Sequence, residues 1–347
     1  MRNFLVLTTF LFLISCGDSD NNSTASDNDD TRQVSEKYPT LGEIERIDPA
    51  LDAILPSQAR MEILSEGYDW TEGPLWVPAH QMLLFSDIPP NSIFKWTEEN
   101  GAELFLKPSG YTGSTPRGGE PGSNGLILDA DGNLVLCQHG DRQIARYTGS
   151  WENPTPSFET IVGTYEGMRF NSPNDAVYAS NGDLYFTDPP YGLEGNINDP
   201  AKEIPFQGVY RFSDDGILSL LTDSITRPNG IGLSPSEDKL YVASSDPEKA
   251  IWMVYDLAEG KISNGKIFHD ATELVGKQKG LPDGLVVHSN GTIFATGPGG
   301  VFIFSPEGKV LGKLLTGEAT SNCTLDEASG MLYITADMYL ARIKLNG

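Results

Sequence analysis

Short apolar segments separated by polar turns recur along most of the chain. A typical unit, NDAVYASNGDLYFTD from Asn174, has a polar residue, an apolar strand, a turn containing Gly and a second strand. Alternating apolar and polar residues predict half-buried β-strands, and short apolar runs predict fully buried ones. Asn-Gly and Asp-Gly pairs between the strands are typical of tight hairpin turns. Six segments follow this plan, and they begin at Glu72, Asn124, Asn174, Asn229, Asp283 and Asn322.

The spacing of these segments predicts the architecture. Further strand pairs lie between them, so each unit of roughly fifty residues contains four strands. Six such units predict an all-β fold, a six-bladed β-propeller whose four-stranded antiparallel blades surround a central channel. A stack of β-sandwiches is the alternative, but it needs linkers that the regular spacing does not leave. A short helix is expected at residues 49–55, before the first blade.

The polar residue at the start of each segment is a candidate ligand. Equivalent positions in the blades of a propeller face the same end of the channel, so the six residues are expected to form a ring of oxygens. Oxygen ligands that include two carboxylates favour a hard cation such as Ca²⁺ over Zn²⁺. Asn and Asp are also common turn residues, which is the simpler explanation for several positions. That explanation does not account for Glu72, because Glu is not a turn former.

The composition narrows the range of functions. Lys and Arg number 24 against 48 Asp and Glu, so the formal net charge of the 347-residue chain is −24. Such an acidic surface repels phosphate backbones, so we expect no nucleic-acid partner. The sequence contains no HExxH, P-loop, GxGxxG or GxSxG pattern. Zincin, nucleotide-binding and serine-esterase chemistry therefore have no motif support.

The N-terminal residues resemble a bacterial lipoprotein signal. A positively charged start precedes an apolar run that ends in LISC at residues 13–16. We predict a signal peptide at residues 1–15, lipidation of Cys16, a disordered acidic tether at residues 16–40 and the propeller at residues 41–347. An ordinary secretory signal is the alternative. The predicted location is the bacterial cell envelope, periplasmic or on the outer membrane, with the lipid anchor as the only membrane contact.

The repeat motifs also resemble a known family. WTEGPLW at residues 70–76, SPNDAVYASNGDLYFTDPPYGL at 172–193, RPNGIGLSPSEDKLYVASSD at 227–246 and LPDGLVV at 281–287 follow one another at propeller spacing. Together they are similar to the gluconolactonase/senescence-marker-protein (regucalcin) family of calcium-dependent six-bladed propellers, and to its bacterial gluconolactonase branch in particular. The resemblance extends from about Arg46 to the C terminus.

The resemblance implies which residues bind metal and substrate. Glu72, Asn229 and Asp283 match the family's protein ligands for the catalytic Ca²⁺, with Zn²⁺, Mg²⁺ or Mn²⁺ as alternative ions. Asn174 matches a residue that contacts metal, substrate or water. Asp283 is expected to be the catalytic general base as well as a ligand. The expected substrate contacts are Asn124, His139, Asn174 and Arg169.

Two of the substrate contacts rest on less direct matches. His139, in CQHGDRQ, either reaches the channel mouth or is a satisfied histidine inside a blade. The family's substrate-contacting arginine, two residues before Asn174, is replaced by Ser172, and Arg169 is the nearest arginine.

A loop at residues 107–123 is rich in Gly, Pro and Ser and directly precedes Asn124. It is expected either to form a lid over the site, with Tyr111 and Arg117 as candidate substrate contacts, or to be an ordinary surface loop. Residues 170–172 and 189–192 are expected to line the same channel mouth.

The resemblance implies a metal-dependent lactonase. Its substrate would be a small sugar lactone such as gluconolactone, with the metal polarising the carbonyl and a carboxylate accepting a proton from water. Hydrolysis of an organophosphate or aryl ester at the same site is the alternative activity. A non-catalytic binding propeller of the cell envelope is the alternative class. No obligate protein partner is expected.

Overall fold

Antiparallel strands make up most of the structure, a computed structural model that describes residues 37–346. The short helix expected at residues 49–55 is the 3-10 helix Pro49–Ala53, which buries Leu51 against a neighbouring strand. Three further 3-10 helices lie in this part of the chain, at Pro78–His80, Asn196–Asn198 and Thr272–Leu274. None of the helices within residues 37–346 is long and apolar enough to cross a membrane.

The strands of the first half form three blades in chain order. Before them come β1 (Thr40–Leu41), β2 (Glu43–Arg46) and β3 (Met61–Glu66). Blade 1 contains β4 (Thr71–Val77), β5 (Met82–Asp87), β6 (Ser92–Thr97) and β7 (Gly101–Leu106). Blade 2 contains β8 (Ser123–Leu128), β9 (Leu134–Gln138), β10 (Gln143–Tyr147) and β11 (Phe158–Val162). A small hairpin follows, made of β12 (Thr164–Tyr165) and β13 (Met168–Arg169). Blade 3 contains β14 (Ala176–Tyr178), β15 (Leu184–Asp188), β16 (Gly208–Phe212) and β17 (Leu218–Thr222).

The second half forms three more blades. Blade 4 contains β18 (Pro228–Leu233), β19 (Lys239–Asp246), β20 (Lys249–Ala258) and β21 (Lys261–Asp270). Blade 5 contains β22 (Leu285–Val287), β23 (Ile293–Gly297), β24 (Gly300–Phe304) and β25 (Val310–Leu315). Blade 6 contains β26 (Thr320–Asp326), β27 (Met331–Ala336) and β28 (Tyr339–Lys344). Its fourth strand is the N-terminal β3, with β1 outside it, while β2 extends blade 5. The predicted six-bladed propeller is therefore confirmed, and N-terminal strands complete its last blade.

Apolar side chains fill the spaces between blades. Six clusters of buried side chains each combine residues from two neighbouring blades. The second strands of blades 1, 2, 3 and 5 are buried along their whole length, which explains apolar runs such as MLLF, LVLC and LYF. Cys137 and Cys323 are free thiols buried in two different clusters. The first strands of successive blades contact each other, so they line the central channel.

The predicted N-terminal segments cannot be compared with the structure. The signal peptide, Cys16 and most of the tether lie outside the described residues. From Tyr38 onward the chain forms one compact unit, and its first strand begins at Thr40.

Candidate active site

A cavity of about 450 Å³ lies at the end of the channel where the first strands of the blades begin. Five of the six predicted ligand positions line it, namely Glu72, Asn124, Asn174, Asn229 and Asp283. Three of them are the second residues of β4, β8 and β18, and the other two lie two residues before β14 and β22. The repeat thus brings residues from five blades to one point.

The sixth position, Asn322, does not reach this cavity, so the prediction of a ring of six is corrected to five. Glu72, Asn124 and Asn229 are the second residues of their strands, whereas Asn322 is the third residue of β26. Asn322 lines a separate cavity of about 350 Å³ around the far ends of the first strands. A register difference of this kind redirects a side chain, because neighbouring positions of a strand face different ways.

Three buried carboxyl groups influence one another in the channel. Glu72 Oε2 accepts a hydrogen bond of 3.0 Å from the N–H of Gly73, but burial, together with the negative charge of Asp175, raises the pKa of Glu72. Burial and the charge of Glu72 raise the pKa of Asp283 well above its ordinary value. Burial also raises the pKa of Asp175 to about 7, although the N–H groups of Ala176 and Ile231 donate to its carboxylate. Without a cation, burial and mutual repulsion therefore make these groups harder to ionise than exposed carboxyl groups.

Asp175 was missed in the sequence analysis, although it directly follows Asn174. The SPND motif drew attention to the amide and not to the acid. In the structure Asp175 lines the separate 350 Å³ cavity, and its negative charge helps to raise the pKa of both Glu72 and Asp283.

The side-chain oxygens around the first cavity fit a hard cation. The Oδ1 atoms of Asn124, Asn229 and Asp283 are shielded from solvent and have no hydrogen-bond partner. Buried oxygens without partners are rare, and a cation would satisfy them together with the neighbouring negative charges. Between residues 37 and 346 no three His, Cys, Asp or Glu side chains are grouped to hold a metal ion. A cation here would therefore need the amides as well as the two carboxylates.

His139 is fully buried and contacts two residues of the cavity wall. Its Nε2 lies 3.5 Å from Nδ2 of Asn174, and its Nδ1 lies 3.4 Å from Oε2 of Glu120. The Asn174 amide nitrogen faces the ring of His139, which leaves Asn174 Oδ1 for the cavity. His139 thus lies behind the wall as a neighbour of Asn174.

The loop at residues 107–123 contributes an acid that the sequence analysis missed. The Asn91 side chain holds its beginning, because Oδ1 accepts from the N–H groups of Ser109 and Gly110 at 2.9 and 2.7 Å. Farther along, Glu120 lines the cavity. Glu120 is the only acid in the loop, which is the signal that could have identified it.

The two side chains expected from this loop point elsewhere. Arg117 donates to the backbone oxygens of Gly140 and Gly192, and its guanidinium lies over the Tyr111 ring. Both residues line a neighbouring surface cavity. Their expected role as substrate contacts is therefore not supported by this arrangement.

Comparison with known proteins identifies the family. The protein-family model described as the SMP-30/Gluconolactonase/LRE-like region matches residues 70–337 of the sequence. This range includes all five candidate ligand positions of the cavity. The chain belongs to this family. It is 39% identical over 312 residues to a gluconolactonase of Zymomonas mobilis subsp. mobilis, and the match covers 88% of this chain and 86% of that protein. The resemblance inferred from the motifs is thus confirmed.

Solved structures agree with this assignment. A gluconolactonase of Xanthomonas campestris is 30% identical, with a TM-score of 0.75 over 90% of this chain and 99% of that one. The calcium-binding protein regucalcin of Agrobacterium tumefaciens is 17% identical, with a TM-score of 0.62 over 82% of this chain and 94% of that one. At that identity it supports the fold alone.

Arg169 does not take the place of the arginine that the family pattern carries near Asn174. It is exposed at the end of β13, donates to the backbone oxygen of Asp141 at 3.0 Å, and lines the same neighbouring cavity as Arg117. The hairpin of β12 and β13 holds it there, so its assignment to the substrate site is corrected. Ser172 is buried, donates to the Pro189 oxygen at 2.5 Å and accepts from the N–H of Gly192 at 2.9 Å.

The remaining wall of the cavity combines aromatic side chains with polar ones. Trp70, Tyr191, Arg227 and Gln278 line it, as do a few small and apolar residues. Such a mixture suits a small ligand that has both a ring and several hydroxyl groups.

Proposed function

We propose that this protein hydrolyses a sugar lactone such as gluconolactone to the aldonic acid, with a divalent cation bound in the 450 Å³ cavity. The observation that carries the proposal is the convergence of Glu72, Asn174, Asn229 and Asp283 on that cavity in a member of the gluconolactonase family. The match to gluconolactonases over most of the chain supports a hydrolase of carboxylic esters. Ca²⁺ is the proposed ion because all the candidate ligands are oxygens.

Glu72, Asn174, Asn229 and Asp283 would hold the cation. A bound divalent cation polarises a carbonyl oxygen and lowers the pKa of a coordinated water. Asn229 Nδ2 donates to Ser245 Oγ at 2.8 Å, which leaves Asn229 Oδ1 for the cavity. His139 orients the Asn174 amide in the same sense. The protein thus preorganises its amide oxygens around the site, which avoids reorganisation when the ion binds.

Asp283 is the proposed proton acceptor. Its Oδ1 has no hydrogen-bond partner, and the residue is partly exposed on the wall of the cavity that would hold the attacking water. The carboxylate accepts a proton from this water as the water attacks the lactone carbonyl. Trp70 and Arg227 lie on the cavity wall, where they can orient the substrate ring and its hydroxyl groups.

The test is lactone hydrolysis by the purified full chain, followed as acid release from gluconolactone. Chelation should abolish turnover, and added Ca²⁺ should restore it; Mg²⁺, Mn²⁺ and Zn²⁺ are compared in parallel. Asp283→Asn should lower kcat by about 10²-fold or more. Asp256→Asn is the matched control, because Asp256 is an exposed carboxylate that pairs with Lys239 on the surface. Turnover that survives both chelation and Asp283→Asn would contradict the proposal, as would greater activity on an aryl ester or organophosphate.

We also propose that the protein is anchored in the bacterial cell envelope through a lipid on Cys16. The LISC pattern at residues 13–16 supports this proposal. Cells grown with a labelled fatty acid should incorporate it into the wild-type chain and not into Cys16→Ser. Equal labelling of the two chains would rule out the anchor.

A further inference from the structure

The segment at residues 189–192 is fixed against the cavity wall by its neighbours. Ser172 Oγ donates to the Pro189 oxygen at 2.5 Å and accepts from the N–H of Gly192 at 2.9 Å. A Cβ on Gly192 would lie 2.6 Å from Cβ of His139, so the backbone approaches the wall more closely than any other residue would allow. Tyr191, between these two anchors, lines the cavity.

The Tyr191 hydroxyl has no hydrogen-bond partner. Its oxygen is shielded from solvent, and the polar group beside it is Ser245. The Ser245 hydroxyl already donates to the Pro282 oxygen at 2.6 Å and accepts from Asn229 Nδ2 at 2.8 Å. Tyr191 itself makes no hydrogen bond with Ser245 or any other described group, so its O–H donor is unused at the wall of the cavity.

Two other tyrosine hydroxyls are buried in the same way but lie away from the cavity. Within residues 37–346, the hydroxyls of Tyr191, Tyr210 and Tyr255 are buried without partners, and of these residues only Tyr191 lines the first cavity. Tyr210 packs between Phe170 and Phe186, with ring centres 5.3 and 5.2 Å away. An unpaired hydroxyl is costly to bury, so the one in the cavity calls for a ligand oxygen as its partner.

Hydrolysis of a lactone creates two sites of negative charge. One is the carbonyl oxygen, and the other is the ring oxygen that leaves when the acyl C–O bond breaks. One N–H of the Asn174 amide faces His139 and one N–H of the Asn229 amide faces Ser245, which leaves each amide a single further donor near the metal site. A separate donor for the leaving oxygen is available from Tyr191, on the cavity wall near Asp283.

We propose that Tyr191 is a catalytic residue whose hydroxyl donates a hydrogen bond to the departing ring oxygen; the inference rests on the proposed lactonase function. Water adds to the carbonyl carbon, the bond from that carbon to the ring oxygen breaks, and the ring oxygen leaves with the electron pair and gains a proton. Overall, the water supplies the hydroxyl of the new acid and the proton of the new alcohol, and Tyr191 ends as a phenol. A sugar alkoxide is a poor leaving group, so this donor matters most for sugar lactones.

The experiment compares two lactones that differ in their leaving groups. Glucono-δ-lactone releases an alcohol, whereas dihydrocoumarin releases a phenol that leaves without help. With Ca²⁺ present, Tyr191→Phe should lower kcat/KM about 100-fold on gluconolactone and less than about tenfold on dihydrocoumarin. The control is Tyr210→Phe, which removes an equally buried, unpartnered hydroxyl outside the cavity and should change neither rate. Ca²⁺ should raise the melting temperature of all three proteins equally.

Three results would overturn the inference. Equal losses on both substrates would show that Tyr191 only shapes the cavity. No loss on gluconolactone would show that the hydroxyl takes no part. A wild-type protein that hydrolyses neither lactone would refute the proposed function, and the inference with it, whereas an active wild type with either of the first two results refutes the inference alone.

Discussion

The carboxyl group of Asp175 should make the metal-free protein less stable as the pH rises. Burial raises its pKa from 3.8 to about 7. A group whose pKa is raised on folding stabilises the fold fully below its unfolded pKa, and this contribution is lost as the pH rises through the folded value. The shift corresponds to about 4 kcal/mol well above pH 7, of which roughly 2–3 kcal/mol is lost between pH 5 and pH 8.

Asp175→Asn removes the charge while it keeps the shape. An amide has one acceptor oxygen, so one of the two N–H donors, from Ala176 or Ile231, loses its partner at a cost of about 1–3 kcal/mol at any pH. The difference in unfolding free energy between the variant and wild type should therefore shift in favour of the variant by about 2–3 kcal/mol from pH 5 to pH 8. Urea unfolding in a chelator at both pH values measures this difference.

Asp183→Asn is the matched control, because Asp183 is a buried acid with the opposite pKa shift. Burial raises its pKa, but hydrogen bonds from Arg211, at 2.7 Å, and from Asn181 outweigh burial and lower it. The stability due to a lowered pKa is present above the unfolded pKa and lost only as the pH falls through the folded one. Asp183→Asn should therefore destabilise the protein by similar amounts at pH 5 and pH 8. If Asp175→Asn showed the same constant loss, the argument from burial would be refuted.

Three further changes test the site. Asp283→Asn should weaken Ca²⁺ binding at least about tenfold by calorimetry, because it removes a charged ligand; unchanged affinity would exclude Asp283 as a ligand. His139→Leu should weaken Ca²⁺ binding by about tenfold through the Asn174 amide, while the fold by circular dichroism stays the same. Gly73→Ala should lower the free energy of unfolding by about 2 kcal/mol or more in urea, because its Cβ would lie 2.1 Å from the backbone oxygen of Asn124. An unchanged free energy of unfolding would show that the irregular part of β4, between Glu72 and Leu75, can move.

Local patterns predicted most of the fold because each blade is a set of consecutive hairpins. Apolar runs, turn residues and the repeat are all short-range features, and they led to the correct number of blades. The pairing of β3 with β28 could not be read from them, because it joins residues at opposite ends of the chain. A weakly amphipathic strand such as Met61–Glu66 acquires its position from the blade that it completes.

The candidate site was predicted residue by residue where it follows the repeat, and only as whole segments where it lies in loops. Glu72 and Asp283 start their segments, so the repeat places them on one cavity. Glu120 lies in a loop that belongs to no repeat, and Tyr191 lies in another, between β15 and β16. Loops reach the cavity by paths that depend on the neighbours that hold them, such as Ser172 for the second one.

The sequence by itself determined the strands, the blade number, the family resemblance and a ring of oxygen ligands at one end of a channel, because these depend on local periodicity and on a repeat. Only the tertiary structure decided the direction of each side chain. It excluded Asn322 and Arg169 from the cavity, added Asp175 and Glu120 to its surroundings, and selected Tyr191 from the segment 189–192. The reason is physical: a one-residue change of register or one anchoring hydrogen bond reverses the direction of a side chain, and the partners that set both are distant in the sequence.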